Sequence, residues 1–192
     1  MLNIVLFGAP GAGKGTQAVM LAEKFELVHL STGDILRKEI AAGSELGKQA
    51  QGFTDKGEFV PDELVIDIIR SQIEQHAGVK GFIFDGFPRT TAQAEALDQL
   101  MTEKKMEISS MIALNVENEE LVNRLTKRGA ISGRADDQSM DVIRNRIGVY
   151  HQKTMPLIGY YQTCGKYHPI DGSGEIMEIF DRLCKHVEKM KE

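Results

Sequence analysis

An apolar run, Leu2-Asn3-Ile4-Val5-Leu6-Phe7, leads directly into Gly8-Ala9-Pro10-Gly11-Ala12-Gly13-Lys14-Gly15-Thr16, and a helical pattern follows to Lys24. This junction restricts the chain to few folds. A buried strand, a glycine loop and a helix, in that order, form a phosphate-binding loop. The glycines accept φ > 0 and bring bare N–H groups against phosphate oxygens, while the helix N-terminus adds about half a positive charge. Lys14 is expected to reach β- and γ-phosphates, and Thr16 to offer its hydroxyl to Mg²⁺. The general pattern places that hydroxyl directly after the lysine, whereas here Gly15 intervenes. Gly8, Gly11, Gly13 and Gly15 also miss the dinucleotide spacing G-x-G-x-x-G, which argues against a nicotinamide cofactor. A glycine-rich turn that merely joined strand to helix would have no need of Lys14 and Thr16 at these positions.

Further short apolar runs recur at Val28 to Leu30, Phe82 to Phe84, Met111 to Val116 and Tyr167 to Ile170, each followed by a longer amphipathic stretch. Near-continuous apolar strands alternating with helices predict an α/β fold: a parallel sheet covered on both faces, with ligands beyond the carboxyl ends of the strands. Helices are expected over Gly15 to Lys24, Gly33 to Ala42, Pro61 to Gln75, Thr91 to Lys104, Glu119 to Arg128, Met140 to Thr163 and Gly174 to Lys189. Gly43, Gly47, Gly52 and Gly57 interrupt the periodicity between Ala41 and Val60, which reads as a mobile insertion. Gly129 to Asp137 reads as a polar loop.

At 192 residues the chain is expected to form a single domain that needs no metal or disulfide for stability. Cys164 and Cys184 lie outside any C-x-x-C motif and suit a reducing cytosol, and no apolar run approaches the ~20 residues that span a bilayer. A cytoplasmic protein with no membrane partner is expected. The net charge of −5 and the absence of a basic block argue against nucleic acid as a partner. Arg37, Arg89, Arg124, Arg128, Arg134, Arg144 and Arg146 nonetheless lie near glycines or element ends, where a cleft could gather them into a locally positive pocket.

The run Gly81-Phe82-Ile83-Phe84-Asp85-Gly86-Phe87-Pro88-Arg89 ends a strand in an acid. In a phosphate-loop protein such an aspartate orients Mg²⁺ or its waters, although it could also only cap the next turn. Arg89 offers a planar fork suited to phosphate. These segments, with Leu30-Ser31-Thr32-Gly33-Asp34-Ile35-Leu36-Arg37, Val60-Pro61-Asp62-Glu63-Leu64-Val65, Gln93 and Ser132-Gly133-Arg134-Ala135-Asp136-Asp137, resemble the adenylate kinase family nearly end to end. The region after Arg128 is similar to the family's short lid, without the extended hairpin or four-cysteine zinc site of some members.

The resemblance implies five parallel strands with helices on both faces and the reaction ATP + AMP ⇌ 2 ADP with Mg²⁺. It implies a core of residues 1–30, 61–123 and 138–192, a monophosphate-binding insertion over about 31–60, a lid over about 124–137, and a monomer. AMP would be held by Thr32, Arg37, Glu58, Phe59, Val60, Gly86, Arg89, Gln93, Arg134 and Arg146. ATP would be held by Gly11, Ala12, Gly13, Lys14, Gly15, Thr16, Arg124, Arg128 and Gly174. Lys14, Arg89, Arg134 and Arg146 would be catalytic, Thr16 and Asp85 would serve Mg²⁺, and no zinc is expected.

The chemistry requires a similar set independently. Both reactants are polyanions, the attacking AMP oxygen is already ionised, and charge spreads over equatorial oxygens, so catalysis needs cations rather than a general base. His29, His76, His151, His168 and His186 show no catalytic spacing. Local readings compete: Ser31 with Asp34 and Thr90 with Gln93 match helix caps, Arg124 and Arg128 fit a helix C-terminus, and Arg134 with Asp136 and Asp137 could be a solvated turn. A uridylate/cytidylate kinase is the alternative enzyme, but those proteins tend to carry alanine at Thr32 and asparagines at Thr90 and Gln93. A nucleotide-binding switch without turnover is the alternative from another class. After the lid, the spacing from Asp137 to Arg146 is one residue longer than the family pattern, which makes Arg144 and Arg146 rivals. At 100° per residue Arg146 lies roughly 65° from the apolar stripe of Ile143, Ile147 and Tyr150, and Arg144 about 95°, which favours Arg146.

Overall fold

The computed structural model describes residues 1–190. Strands β1 (Leu2–Phe7), β2 (Val28–Ser31), β3 (Gly81–Asp85), β4 (Ser110–Asn115) and β5 (Tyr167–Asp171) form one parallel sheet in the order β2-β3-β1-β4-β5. The two-residue period of a strand divides its side chains between two cores. Val5, Phe7, Phe82, Phe84, Met111 and Ala113 pack on one side. Against them lie α4 (Asp62–Gln75), α5 (Thr91–Glu103) and α8 (Leu157–Thr163), through Ile69, Ile73, Leu97, Leu100, Leu157 and Tyr161. Ile4, Leu6, Ile83, Ile112 and Leu114 face the other way, onto α1 (Lys14–Phe25), α6 (Asn118–Ser132) and α9 (Ile176–Lys189). The order reverses at β1, whose neighbours are β3 and β4, so the loop after β1 lies at the crevice where ligands bind in such sheets.

The structure corrects three local expectations. The segment from Ala41 to Val60 is not irregular: α2 (Thr32–Ala42) is followed by α3 (Glu45–Thr54), which Ser44 caps by accepting from the Gly47 N–H at 3.0 Å. A Cβ at position 47 would collide with the Glu39 carbonyl, so that glycine marks close helix packing rather than a break. Helix α6 likewise continues through Gly129 to Ser132, because a Cβ on Gly129 would meet the Asp137 backbone of the returning chain. Only Gly133, at φ 65°, ends the helix, before a short 3₁₀ turn at Ala135–Asp137.

The expected helix from Met140 to Thr163 is broken. Helix α7 (Met140–Val149) passes into a wide turn over Tyr150–Thr154, in which the Met155 N–H reaches back five residues to the Tyr150 carbonyl at 3.0 Å. Pro156 has no N–H with which to continue the regular ladder, and α8 restarts at Leu157. The wide turn directs Thr154 inward, where its hydroxyl donates to the Arg89 carbonyl at 2.9 Å.

Candidate active site

Gly13 takes φ 93° and precedes α1 with no side-chain cap, so the first helical N–H groups are left open to an anion. The loop rests on α6: a Cβ at Gly11 would come within 2.9 Å of the Leu121 carbonyl. The Lys14 amine folds back onto the Gly8 and Ala9 carbonyls at 2.8 and 3.0 Å. Burial pushes it down to about 8, with the charges of Arg89, Arg146 and Arg128 adding to that effect and Asp85 opposing it. Gly15 and Thr16 are exposed in the first turn, and the Asp85 carboxylate stands 3.5 Å from where a Gly15 Cβ would lie.

Beyond the strand ends, a cavity of about 320 Å³ is lined by Lys14, Arg37, Arg89, Arg134 and Arg146, together with Asp55, Glu58 and Asp136. Five basic groups against three acidic ones make this a positive site on a chain of net charge −5. Thr32, Phe59, Val60, Gly86 and Gln93 complete the set of proposed AMP residues in the same cavity. The Gly86 carbonyl organises one end, accepting from Thr32 Oγ1 at 2.9 Å and Arg89 Nε at 2.7 Å. The Arg89 guanidinium lies 5.3 Å from the Phe59 ring centroid, and burial pushes it down to about 10, which still leaves it charged near neutrality.

At the other end, five charged side chains interlock. Arg128 binds Asp137 with two hydrogen bonds of 2.6 and 3.0 Å, and Arg134 binds Asp136 with two of 3.1 Å. Arg146 bridges both acids, at 2.5 Å to Asp137 and 3.0 Å to Asp136. The Asp137 side chain is fully buried, so this is no solvated turn. Burial works to raise the Asp136 carboxyl, but the Arg134 hydrogen bonds and the charges of Arg146 and Arg134 hold it below the usual carboxylate range. Arg146 is enclosed while Arg144 is exposed, as the stripe geometry anticipated.

The proposed ATP residues lie outside this cavity, apart from Lys14. Arg124 and Arg128 stand one turn apart on α6, beside the phosphate loop. Arg124 bonds Glu120 at 2.7 Å and the carbonyl of buried Gly172 at 3.2 Å, two residues before exposed Gly174. The capping readings hold in part. Ser31 accepts from the Asp34 N–H and Thr90 from the Gln93 N–H, yet the Gln93 side chain accepts from the Arg89 N–H rather than closing a box with Thr90.

Sequence reasoning missed Asp62, whose carboxylate binds Thr90 and Gln93, and Asn145, whose amide donates to the Lys56 carbonyl at 2.7 Å. Asp62 enters the sequence reading only as a member of the Val60 to Val65 segment, with no role of its own. Asn145 carries no sequence signal, because its partner lies 89 residues away.

A phosphate loop at the reversal point of a five-stranded parallel sheet, opening on an arginine-lined cavity, defines a nucleoside monophosphate kinase. The adenylate kinase family model matches residues 6–166. An adenylate kinase of Phocaeicola vulgatus is 53% identical over 190 residues, covering 99% of this chain and 100% of the relative. One of Parabacteroides distasonis is 48% identical over 191 residues, covering 100% of each. One of a Synechococcus species is 48% identical over 186 residues, covering 96% of this chain and 98% of the relative. The chain belongs to the adenylate kinase family, in its short-lid form, and is a phosphotransferase. Among the described residues, no helix is long and apolar enough to cross a membrane.

Proposed function

We propose that the enzyme catalyses ATP + AMP ⇌ 2 ADP with AMP in the cavity and ATP on the phosphate loop. Arg37 and Arg89 hold AMP by its phosphate end, Gln93 meets the adenine edge, and Thr32, Glu58, Phe59, Val60 and Gly86 form the wall. Gly11 to Thr16 hold the ATP phosphates, and Arg124, Arg128 and Gly174 border the rest of ATP. The observation that carries this reading is the convergence of Lys14, Arg37, Arg89, Arg134 and Arg146 on one cavity that also contains Gln93.

Such a site lowers the barrier by holding two polyanions in line and meeting the charge that develops on the phosphoryl oxygens. Lys14 spans the β- and γ-phosphates, while Arg134 and Arg146 take the phosphoryl group in flight. These arginines rest on Asp136 and Asp137, which orient them toward the cavity. No proton acceptor is required, because the AMP phosphate is already ionised. The insertion over residues 31–60 and the lid over 124–137 would close over the reactants and exclude water.

Magnesium fits the chemistry of the Asp85 carboxylate beside the loop and the exposed Thr16 hydroxyl. Among the described residues no cluster of three or more His, Cys, Asp or Glu side chains could hold an ion. Mg²⁺ would therefore be held largely by nucleotide oxygens and water, with Thr16 and Asp85 orienting it. Magnesium bound there would supply neutralisation of phosphate charge.

AMP calorimetry tests the reading. Arg37→Ala is expected to weaken AMP at least about tenfold, a loss typical of one charge-assisted bond, with ATP affinity unchanged. Unaltered AMP binding in that variant would remove the cavity as the acceptor site. A protein that binds both nucleotides without turnover would be the switch instead.

A further inference from the structure

Gln93 is almost fully buried, yet its amide is not free to choose its orientation. Its Oε1 accepts from the Arg89 N–H at 2.7 Å, and its Nε2 donates to Asp62 Oδ1 at 2.7 Å. A backbone N–H only donates and a carboxylate only accepts, so the reversed amide would face a donor with a donor and an acceptor with an acceptor. The second Asp62 oxygen accepts from Thr90 Oγ1 at 2.8 Å, and Thr90 in turn caps the helix that carries Gln93. Asp62 is itself fixed at the first position of α4, after Pro61.

We propose that Asp62 is a specificity-determining, positioning residue: together with the Arg89 N–H it fixes the polarity of the Gln93 amide and so helps to select the acceptor base. This rests on the reading above that Gln93 meets the base. With one N–H and one lone pair spent on the protein, Gln93 retains one of each for a ligand. A fixed acceptor beside a fixed donor matches adenine, whose 6-amino group donates and whose N1 accepts. Hypoxanthine has the same ring size with the two roles exchanged, since its O6 accepts and its N1–H donates. IMP therefore tests polarity with almost no change of shape. A buried site that presents an unpaired group to the wrong base rejects it strongly.

The experiment measures initial rates with AMP and with IMP at saturating MgATP. The proteins are the wild type, Asp62→Ala, Gln93→Ala and the double variant, with Glu63→Gln, an exposed neighbour on the same helix, as a control expected to match wild type. Asp62→Ala should raise KM for AMP about tenfold, the worth of one charge-assisted bond, and narrow the AMP:IMP preference at least about fivefold, with kcat and KM for ATP little changed. Because Asp62 acts through Gln93, the same substitution in the Gln93→Ala background should alter KM for AMP by less than about twofold. Equal effects in both backgrounds, or an unchanged AMP:IMP ratio in Asp62→Ala, would overturn the proposal. If Asp62→Ala does not fold, Asp62→Asn substitutes for it and should narrow the ratio at least about threefold, because its amide can turn a donor toward Gln93; an unchanged ratio overturns the proposal there too. Failure of the underlying reading would look different: Gln93→Ala alone would then keep the wild-type KM for AMP.

Discussion

Replacing Arg146 with alanine removes one of the five basic groups that line the cavity. Two unit charges about 4 Å apart interact by about 4 kcal/mol at an effective dielectric near 20. If the Arg146 fork meets the phosphoryl oxygens as their charge spreads, that loss falls mainly on the transition state. At about 1.36 kcal/mol per decade it is roughly a thousandfold in kcat. The fold should survive, because Asp137 keeps its two hydrogen bonds from Arg128 and Asp136 keeps its two from Arg134. Arg144 is exposed, and Arg144→Ala should leave kcat within about threefold, as surface changes usually do. Arg146→Lys retains the charge without the planar fork and should fall between. A coupled assay of ADP formation, with KM for each nucleotide, is sufficient; AMP and ATP binding should change less than turnover. Near-normal kcat in Arg146→Ala, with a collapse in Arg144→Ala, would refute the assignment.

Three further outcomes are expected. Nucleotide phosphates should raise the Lys14 amine from about 8, so ATP binding near pH 8 should take up about half a proton. Calorimetry in buffers of different ionisation enthalpy measures this, and no uptake would contradict it. The ordinary lysine value is 10.5, so with that value for the unfolded chain, unfolded protein binds more protons between the two and the contribution to stability rises with pH there; Lys14→Met should abolish both effects and lower kcat/KM at least about a hundredfold. Asp137→Ala leaves Arg128, Arg134 and Arg146 without their shared buried anion and should cost about 3 kcal/mol in chemical denaturation; a change below about 1 kcal/mol would argue that the cluster is solvated. His186 sits 4.3 Å, ring to ring, from His168, and burial, that ring and Lys189 lower it below its usual value, so stability should fall as pH drops below 6.5. His186→Gln should flatten that slope in melts between about pH 7.5 and 5.5, and an unchanged slope would exclude this pair as its source.

The phosphate loop and the alternation of strands with helices could be read in the sequence because each depends on local spacing: apolar runs of strand length and glycines before Lys14. Of the seven arginines beside element ends, Arg37, Arg89, Arg134 and Arg146 line the cavity, whereas Arg124, Arg128 and Arg144 do not. Arg146 was legible for the same reason, as a position on one helical face. Gly47 and Gly129 were misleading. A glycine that permits close packing and one that breaks a helix look alike until the opposing carbonyl, of Glu39 or Asp137, is in place. The helix from Met140 was read too long because its regular ladder gives way at Tyr150 to a wider turn, which brings Thr154 to the Arg89 carbonyl. The fully buried Asp137 and the hold of Asp62 on Gln93 depend on contacts between distant segments, and the sequence neighbours of neither aspartate give a sign of them.

The most direct test of the account is phosphorus NMR of the enzyme with ATP and Mg²⁺, offering AMP, UMP, CMP and GMP in turn. The account predicts that ADP resonances grow from both nucleotides with AMP, and that the other acceptors are phosphorylated far more slowly at matched concentrations. Phosphorylation of UMP or CMP at a rate equal to that of AMP would contradict it.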